Sequence, residues 1–136
     1  ETEQVVCFVE AKYKSDISPR TKNNPDRDQI IRSLDLGSWY AGRRDLFFAL
    51  LVLGDAQSPN GLTTLRRYAE SRDAVLSRLS HRTDALTNLK GIGQVTWQDM
   101  AAILRQCELQ VQRDDERSAA RTASEWLAHK GISEKI

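Results

Sequence analysis

Cysteine, histidine and methionine are scarce in this sequence, with two, two and one among 136 residues. Two cysteines, Cys7 and Cys107, lie far apart without metal-type spacing, which excludes a disulfide framework and a zinc cluster and leaves free thiols in a reducing, cytoplasmic compartment as the default. His81 and His129 read as surface residues, and neither a Ser-His-Asp nor a Cys-His arrangement is present. Long apolar runs are also missing: the longest, residues 46–53, is far too short to span a bilayer. The first residues carry no signal-peptide pattern. Nor is there an excess of one charge. Twenty basic against nineteen acidic side chains give a net +1, so any surface for an anionic partner has to be local. Repeats and low-complexity segments are absent. What remains, 40% hydrophobic and 29% charged, is an ordinary globular composition long enough for a core.

The chain is organised around Val5-Val6-Cys7-Phe8-Val9-Glu10-Ala11-Lys12-Tyr13-Lys14. Its first five residues are apolar and largely β-branched, which predicts a buried strand. Side chains alternate along a strand, so Phe8, Glu10 and Lys12 share one face and Cys7, Val9 and Ala11 the other. A carboxylate at the end of such a strand is costly unless a positive group meets it. A bound cation and the Lys12 ammonium are two candidates, and a solvated strand end is the plain alternative.

Glu10-Ala11-Lys12 after a hydrophobic strand resembles the second half of the PD-(D/E)xK signature of restriction-endonuclease-like nucleases. The resemblance implies that Glu10 is a metal ligand, that the Ala11 carbonyl is a further one, and that Lys12 is the catalytic amine, which orients the attacking water and offsets charge at the phosphate. The implied cofactor is a hard cation, Mg2+ or Mn2+. The family's upstream Asp has no counterpart, because Glu1 and Glu3 lie on or just before the same strand as Glu10. The resemblance therefore implies either that an upstream segment of a longer parent protein supplies that Asp, this chain being the C-terminal part of the domain, or that the metal site is incomplete. Gln29 resembles the Gln that many such nucleases carry on the helix after the Glu-x-Lys strand; Ser33 stands where one branch has an aromatic, and a surface Gln is the alternative.

Residues 15–24 read as a polar, basic loop. Arg20 and Lys22 there, and Lys14 just before it, are candidates for phosphate contact, with a solvated connector as the alternative. Asn24-Pro25-Asp26 reads as a helix start, Ile30, Ile31 and Leu34 as the buried stripe, and Gly37 as the stop. Residues 39–44 form a turn into residues 46–53, a central strand closed by Gly54-Asp55. Strand, helix, strand in this order predicts a crossover with two parallel strands.

From Thr63 a helical pattern runs on to about Arg82, with Arg66, Arg67, Arg72, Arg78 and Arg82 mainly on its polar side. It is the clearest basic surface, and Arg66, Arg67 and Arg78 are candidates for nucleic-acid contact, with a solvated helix face as the alternative. Gly91-Ile92-Gly93 resembles the hairpin of helix-hairpin-helix modules, which implies that Gly91 and Gly93 present backbone N–H groups to a phosphate. The alternative is a turn before a helix capped by Thr96 with Asp99. Met100, Leu104, Cys107 and Val111 predict one helix face; Ala119, Ala123, Trp126 and Leu127 predict that of a last helix from Asp114 to Gly131.

The fold class expected is thus α/β: a restriction-endonuclease-like sheet with flanking helices over residues 1–60, followed by an α-helical C-terminal portion over 61–136. The function expected is metal-dependent DNA hydrolysis in restriction, anti-phage defence or repair, with a non-catalytic DNA-binding or interaction module as the alternative. DNA is the expected partner and a homodimer the assembly to test. No membrane is expected.

Overall fold

The computed structural model of the protein describes residues 1–54 and 56–132. Its elements are β1 (Val5–Ala11), α1 (Gln29–Ala41), β2 (Asp45–Val52), α2 (Pro59–Glu70), α3 (Arg72–Leu76), β3 (Leu89–Thr96), α4 (Trp97–Gln110) and α5 (Asp114–His129). The chain is α/β, and it divides into two compact units, Glu1–Gln94 and Val95–Ile136. The boundary expected near residue 60 falls inside the first unit. Leu62, Leu65, Tyr68, Val75 and Leu79, which follow it, are buried in the same core as β1, α1 and β2.

The three strands form one sheet in the order β1-β2-β3. β1 and β2 are parallel, with Val6 beside Leu46, Phe8 beside Phe48 and Glu10 beside Leu50. The expected crossover through α1 and the central place of β2 are both present. β1 differs from expectation in being half-buried. Val6 is buried, whereas Cys7, Val9 and Ala11 are exposed, because α1 packs on the Val6-Phe8-Glu10 face and β1 is an edge strand among the described residues. Ile30, Ile31 and Leu34 of α1 close the core against that face. Each such apolar side chain contributes roughly 1.5–3 kcal/mol by leaving water.

Both ends of α1 lie later than the sequence suggests. Asn24 closes a local turn, in which Thr21 and Asn24 form an isolated bridge, so the Pro25 segment is spent before the helix begins. Asp28 is the N-cap, accepting from the Ile31 N–H at 2.9 Å. Gly37 does not stop the helix: it lies buried within it, where a Cβ would come within 3.2 Å of the Phe8 ring. A missing side chain is what lets α1 approach β1. The stop is Gly42, with φ of 61°, a conformation that favours glycine. Asn88 then ties down the end, donating to the carbonyls of Ser38 and Gly42 at 2.9 Å each. Asp55, expected to close this central strand together with Gly54, lies outside the described residues.

The expected long basic helix is two helices broken at Ser71, whose hydroxyl caps α3 by accepting from Ala74 N–H. Residues 89–96 are strand β3 rather than a hairpin or turn, so both readings of Gly91 and Gly93 give way. Gly91 is used for close approach, since a Cβ there would meet the Phe47 ring at 3.0 Å.

In the second unit Thr96 and Asp99 form the expected capping box of α4. Cys107 is exposed and Ala101 is the buried residue of that helix. In α5, Leu127 is buried as expected, but Ala120 takes the place expected of Ala119, and Trp126 is about half exposed. Gly131, with φ of 74°, ends α5. Ile132 N–H then returns to the Leu127 carbonyl at 3.0 Å.

Candidate active site around Glu10

Glu10 is carried to the core-facing side of β1 by the period-two alternation, at the end where the strand gives way to loop. Three side chains converge on its carboxylate. Lys12, two residues on and on the same face, places its ammonium 3.2 Å from Oε1. Gln29, the first residue of α1, donates from Nε2 to Oε1 at 2.6 Å. Ser33, one turn further along α1, donates from its hydroxyl to Oε2 at 3.2 Å. The expected grouping of Glu10, Lys12 and Gln29 is therefore present, and Ser33 is a member that sequence reasoning passed over as the replacement of an aromatic. A polar residue one turn after Gln29 is the signal that could have found it.

The orientation of Gln29 is fixed from its other side. Ser18 N–H donates to its Oε1 at 3.2 Å, and its own backbone N–H donates to the Ser18 carbonyl at 3.1 Å. A backbone N–H can only donate, so the amide oxygen faces Ser18 and the NH2 group faces Glu10. Glu10 and Lys12 are 18% and 14% exposed. Such a pair is drier than a surface salt bridge and still open to a small reactant.

The loop after β1 is held by a further carboxylate. Asp16 accepts from Asn60 N–H at 2.9 Å and from Gly61 N–H at 2.8 Å, besides Ile17 N–H at 2.7 Å. It caps α2 from a distance, whereas the α2 N-cap residue Ser58 makes no side-chain cap bond and donates to the Ser15 carbonyl instead. Burial alone would raise the Asp16 pKa, but the N–H donors outweigh it and hold the group below the usual carboxylate range.

Whether these residues suit a divalent cation is decided by the donor set. Glu10 offers a carboxylate and Ala11 a carbonyl, oxygens of the right kind for a hard ion. Three donors already occupy the Glu10 carboxylate, which has about four acceptor positions. Among the described residues no group of three or more His, Cys, Asp or Glu side chains could hold a metal. The set fits a hard cation in kind and falls short of a full shell in number.

The residues expected at nucleic acid are spread out. Lys14 is exposed and lies over the Tyr13 ring, and Arg20 and Lys22 are exposed in the loop. Arg66 and Arg67 are on α2, where Arg67 stacks on Tyr68 and donates to its hydroxyl. Arg78 follows α3 and donates to the Asp26 carbonyl at 2.9 Å. Arg72 and Arg82 serve the fold: the first donates to the carbonyls of Ala85 and Leu86, the second to Asp35 and Asp84. No single helix face presents these arginines, because the break at Ser71 separates them.

Comparison with protein-family models, with curated proteins and with solved structures gives no match. Among the described residues no helix is long and apolar enough to cross a membrane.

Proposed function

We propose that the protein is part of a DNA-cleaving phosphodiester hydrolase of the restriction-endonuclease-like type, with Glu10, Lys12 and Gln29 in its active site. The observation that carries this reading is the convergence of Lys12, Gln29 and Ser33 on one carboxylate at the end of a parallel strand. A lone Glu-x-Lys tripeptide on a solvated strand end requires no such neighbours. In this reading Glu10 and the Ala11 carbonyl would hold part of the shell of Mg2+ or Mn2+, and a carboxylate from outside the described residues would complete it. The cation would supply Lewis acidity at the phosphate. Lys12 supplies a positive charge beside the scissile group and a donor that positions water. Gln29 fixes the carboxylate's rotamer, which is a positioning role. Restriction, defence or repair is the biological setting that such chemistry suits.

A second reading is favoured by one observation. The Glu10 carboxylate is already largely satisfied by protein donors, which suits a nuclease-like framework kept as a non-catalytic DNA-binding or interaction module. Cleavage of supercoiled plasmid with and without magnesium separates the two. Under the first, Glu10→Gln abolishes cleavage by lowering metal occupancy, while Lys12→Ala leaves metal titration largely intact and reduces single-turnover cleavage severely. If both variants fold and cut at the parent rate, Glu10 and Lys12 are not catalytic. If the parent binds DNA and never cuts it, the second reading stands.

A further inference from the structure

The outer side of α1, turned away from the core, carries Arg32, Leu36 and Trp39 on successive turns. These three line a cleft of about 630 Å³ with Asp35, His81 and Arg82. Trp39 is 77% exposed and Leu36 56% exposed.

The charges in the cleft decide what that is. Asp35 is its one acid, and it is fully engaged: Arg82 lies 3.0 Å from Oδ1, while His81 at 3.0 Å and Arg27 at 3.2 Å meet Oδ2. Arg27 also lies 2.6 Å from His81 Nδ1 and 3.2 Å from its Nε2, which ties the imidazole into the same cluster. Arg82 is further held by Asp84. Arg32 is different. Its guanidinium has no partner among the described residues. The cleft therefore combines a free, always charged guanidinium with an open aromatic face, and its own acid is already neutralised.

We propose that this cleft binds single-stranded nucleic acid, with a base stacked on Trp39 and a phosphate held by Arg32. The proposal rests on the DNA reading above and adds a second contact surface to it. Trp39 and Arg32 are seven residues apart, about 10 Å along the helix axis at 1.5 Å per residue. An extended arginine spans much of that distance toward a neighbouring phosphate. Leu36 between them offers an apolar floor for a sugar or base edge. A duplex does not suit the site, because its bases are already stacked and cannot lie on an indole. A peptide partner would leave the Arg32 charge unexplained unless it were acidic.

The test uses the purified protein and a fluorescein-labelled oligothymidylate, with a duplex of equal length beside it, read by anisotropy across a salt series. Trp39→Ala should weaken single-strand binding roughly 5- to 150-fold, the range for loss of one stacked base. The salt slope should stay unchanged, because no phosphate contact is lost. Trp39→Phe should recover much of the affinity. Arg32→Ala should reduce the slope by about 0.7, one phosphate's share on a single strand. Parental affinity and slope in both Trp39→Ala and Arg32→Ala overturn the proposal and leave the nuclease reading intact. If the parent protein binds neither oligonucleotide, the proposal and the DNA reading fall together. If Trp39→Ala leaves DNA affinity unchanged but dissociates a dimer in sedimentation, the cleft is a contact between copies and the proposal is overturned.

Discussion

Gln29 and Glu10, nineteen positions apart in the chain, meet side chain to side chain at 2.6 Å. The contact joins the first residue of α1 to the last turnward residues of β1, so the helix start and the candidate active site are one construction. Gln29→Ala should cost about 0.5–1.5 kcal/mol in urea denaturation, the usual net worth of such a bond. It should also slow single-turnover cleavage without abolishing it, since the carboxylate keeps Lys12 and Ser33. Unchanged stability and rate would mean that the amide only fills space.

Asp16 gives a pH-dependent prediction. Its pKa in the folded state lies below the ordinary carboxylate value, so its contribution is present above that value and is lost as the pH falls through the lowered one. Asp16→Ala should destabilise the protein by about 0.5–2 kcal/mol near neutrality, as the loss of a helix cap does. Denaturation at neutral and at acidic pH checks this. The gap between parent and variant should narrow in acid, and a gap that stays constant would rule out the carboxylate as its cause.

Tyr68 and Asp28 supply the alkaline counterpart. Both are buried, and the phenol donates to Asp28 Oδ2 at 2.5 Å. Burial first, and the Asp28 carboxylate second, push the Tyr68 pKa up to about 12. Its contribution is full below the ordinary tyrosine pKa of about 10 and fades as pH rises toward the raised value. Of the three tyrosines in the chain, one should therefore titrate late when tyrosinate absorbance is followed, and Tyr68→Phe should remove that late step. The same variant leaves a buried carboxylate oxygen without its donor and should cost about 1–3 kcal/mol.

Gly37 makes the steric case. A Cβ there meets the Phe8 ring at 3.2 Å, so Gly37→Val should push α1 off β1 and cost about 1–3 kcal/mol, seen as a lower Tm. Gly37→Ala is milder. Its helix-propensity gain of about 1 kcal/mol offsets part of the crowding. A valine variant as stable as the parent would show that Phe8 moves aside freely.

The crossover was legible because β1 and β2 are apolar runs bounded by turn residues, and such runs depend little on context. Gln29 was legible through resemblance. Asp16 was not, because its partners Asn60 and Gly61 are more than forty positions away and no local pattern announces a distant cap. Asn24-Pro25-Asp26 and Gly37 misled for a common reason: each has the chemistry of a helix end, and each is used by a neighbour first, one in a turn and one in a close approach to Phe8. The glycines of residues 89–96 misled in the same way, since glycine in a strand is disfavoured unless another group needs the space.

The parallel pairing of β1 with β2 also bears on how quickly each unit assembles. No β1–β2 hydrogen bond can form until the whole stretch from Ala11 to Asp45 has been drawn into a loop, and that loss of freedom is incurred before any contact rewards it. α4 and α5 meet across a connection of only a few residues, with Arg121 reaching Glu108 at 2.7 Å. In refolding, helix signal from the second unit should therefore rise ahead of the sheet, and the docking of β1 beside a strand made much later in the sequence should be the slower event.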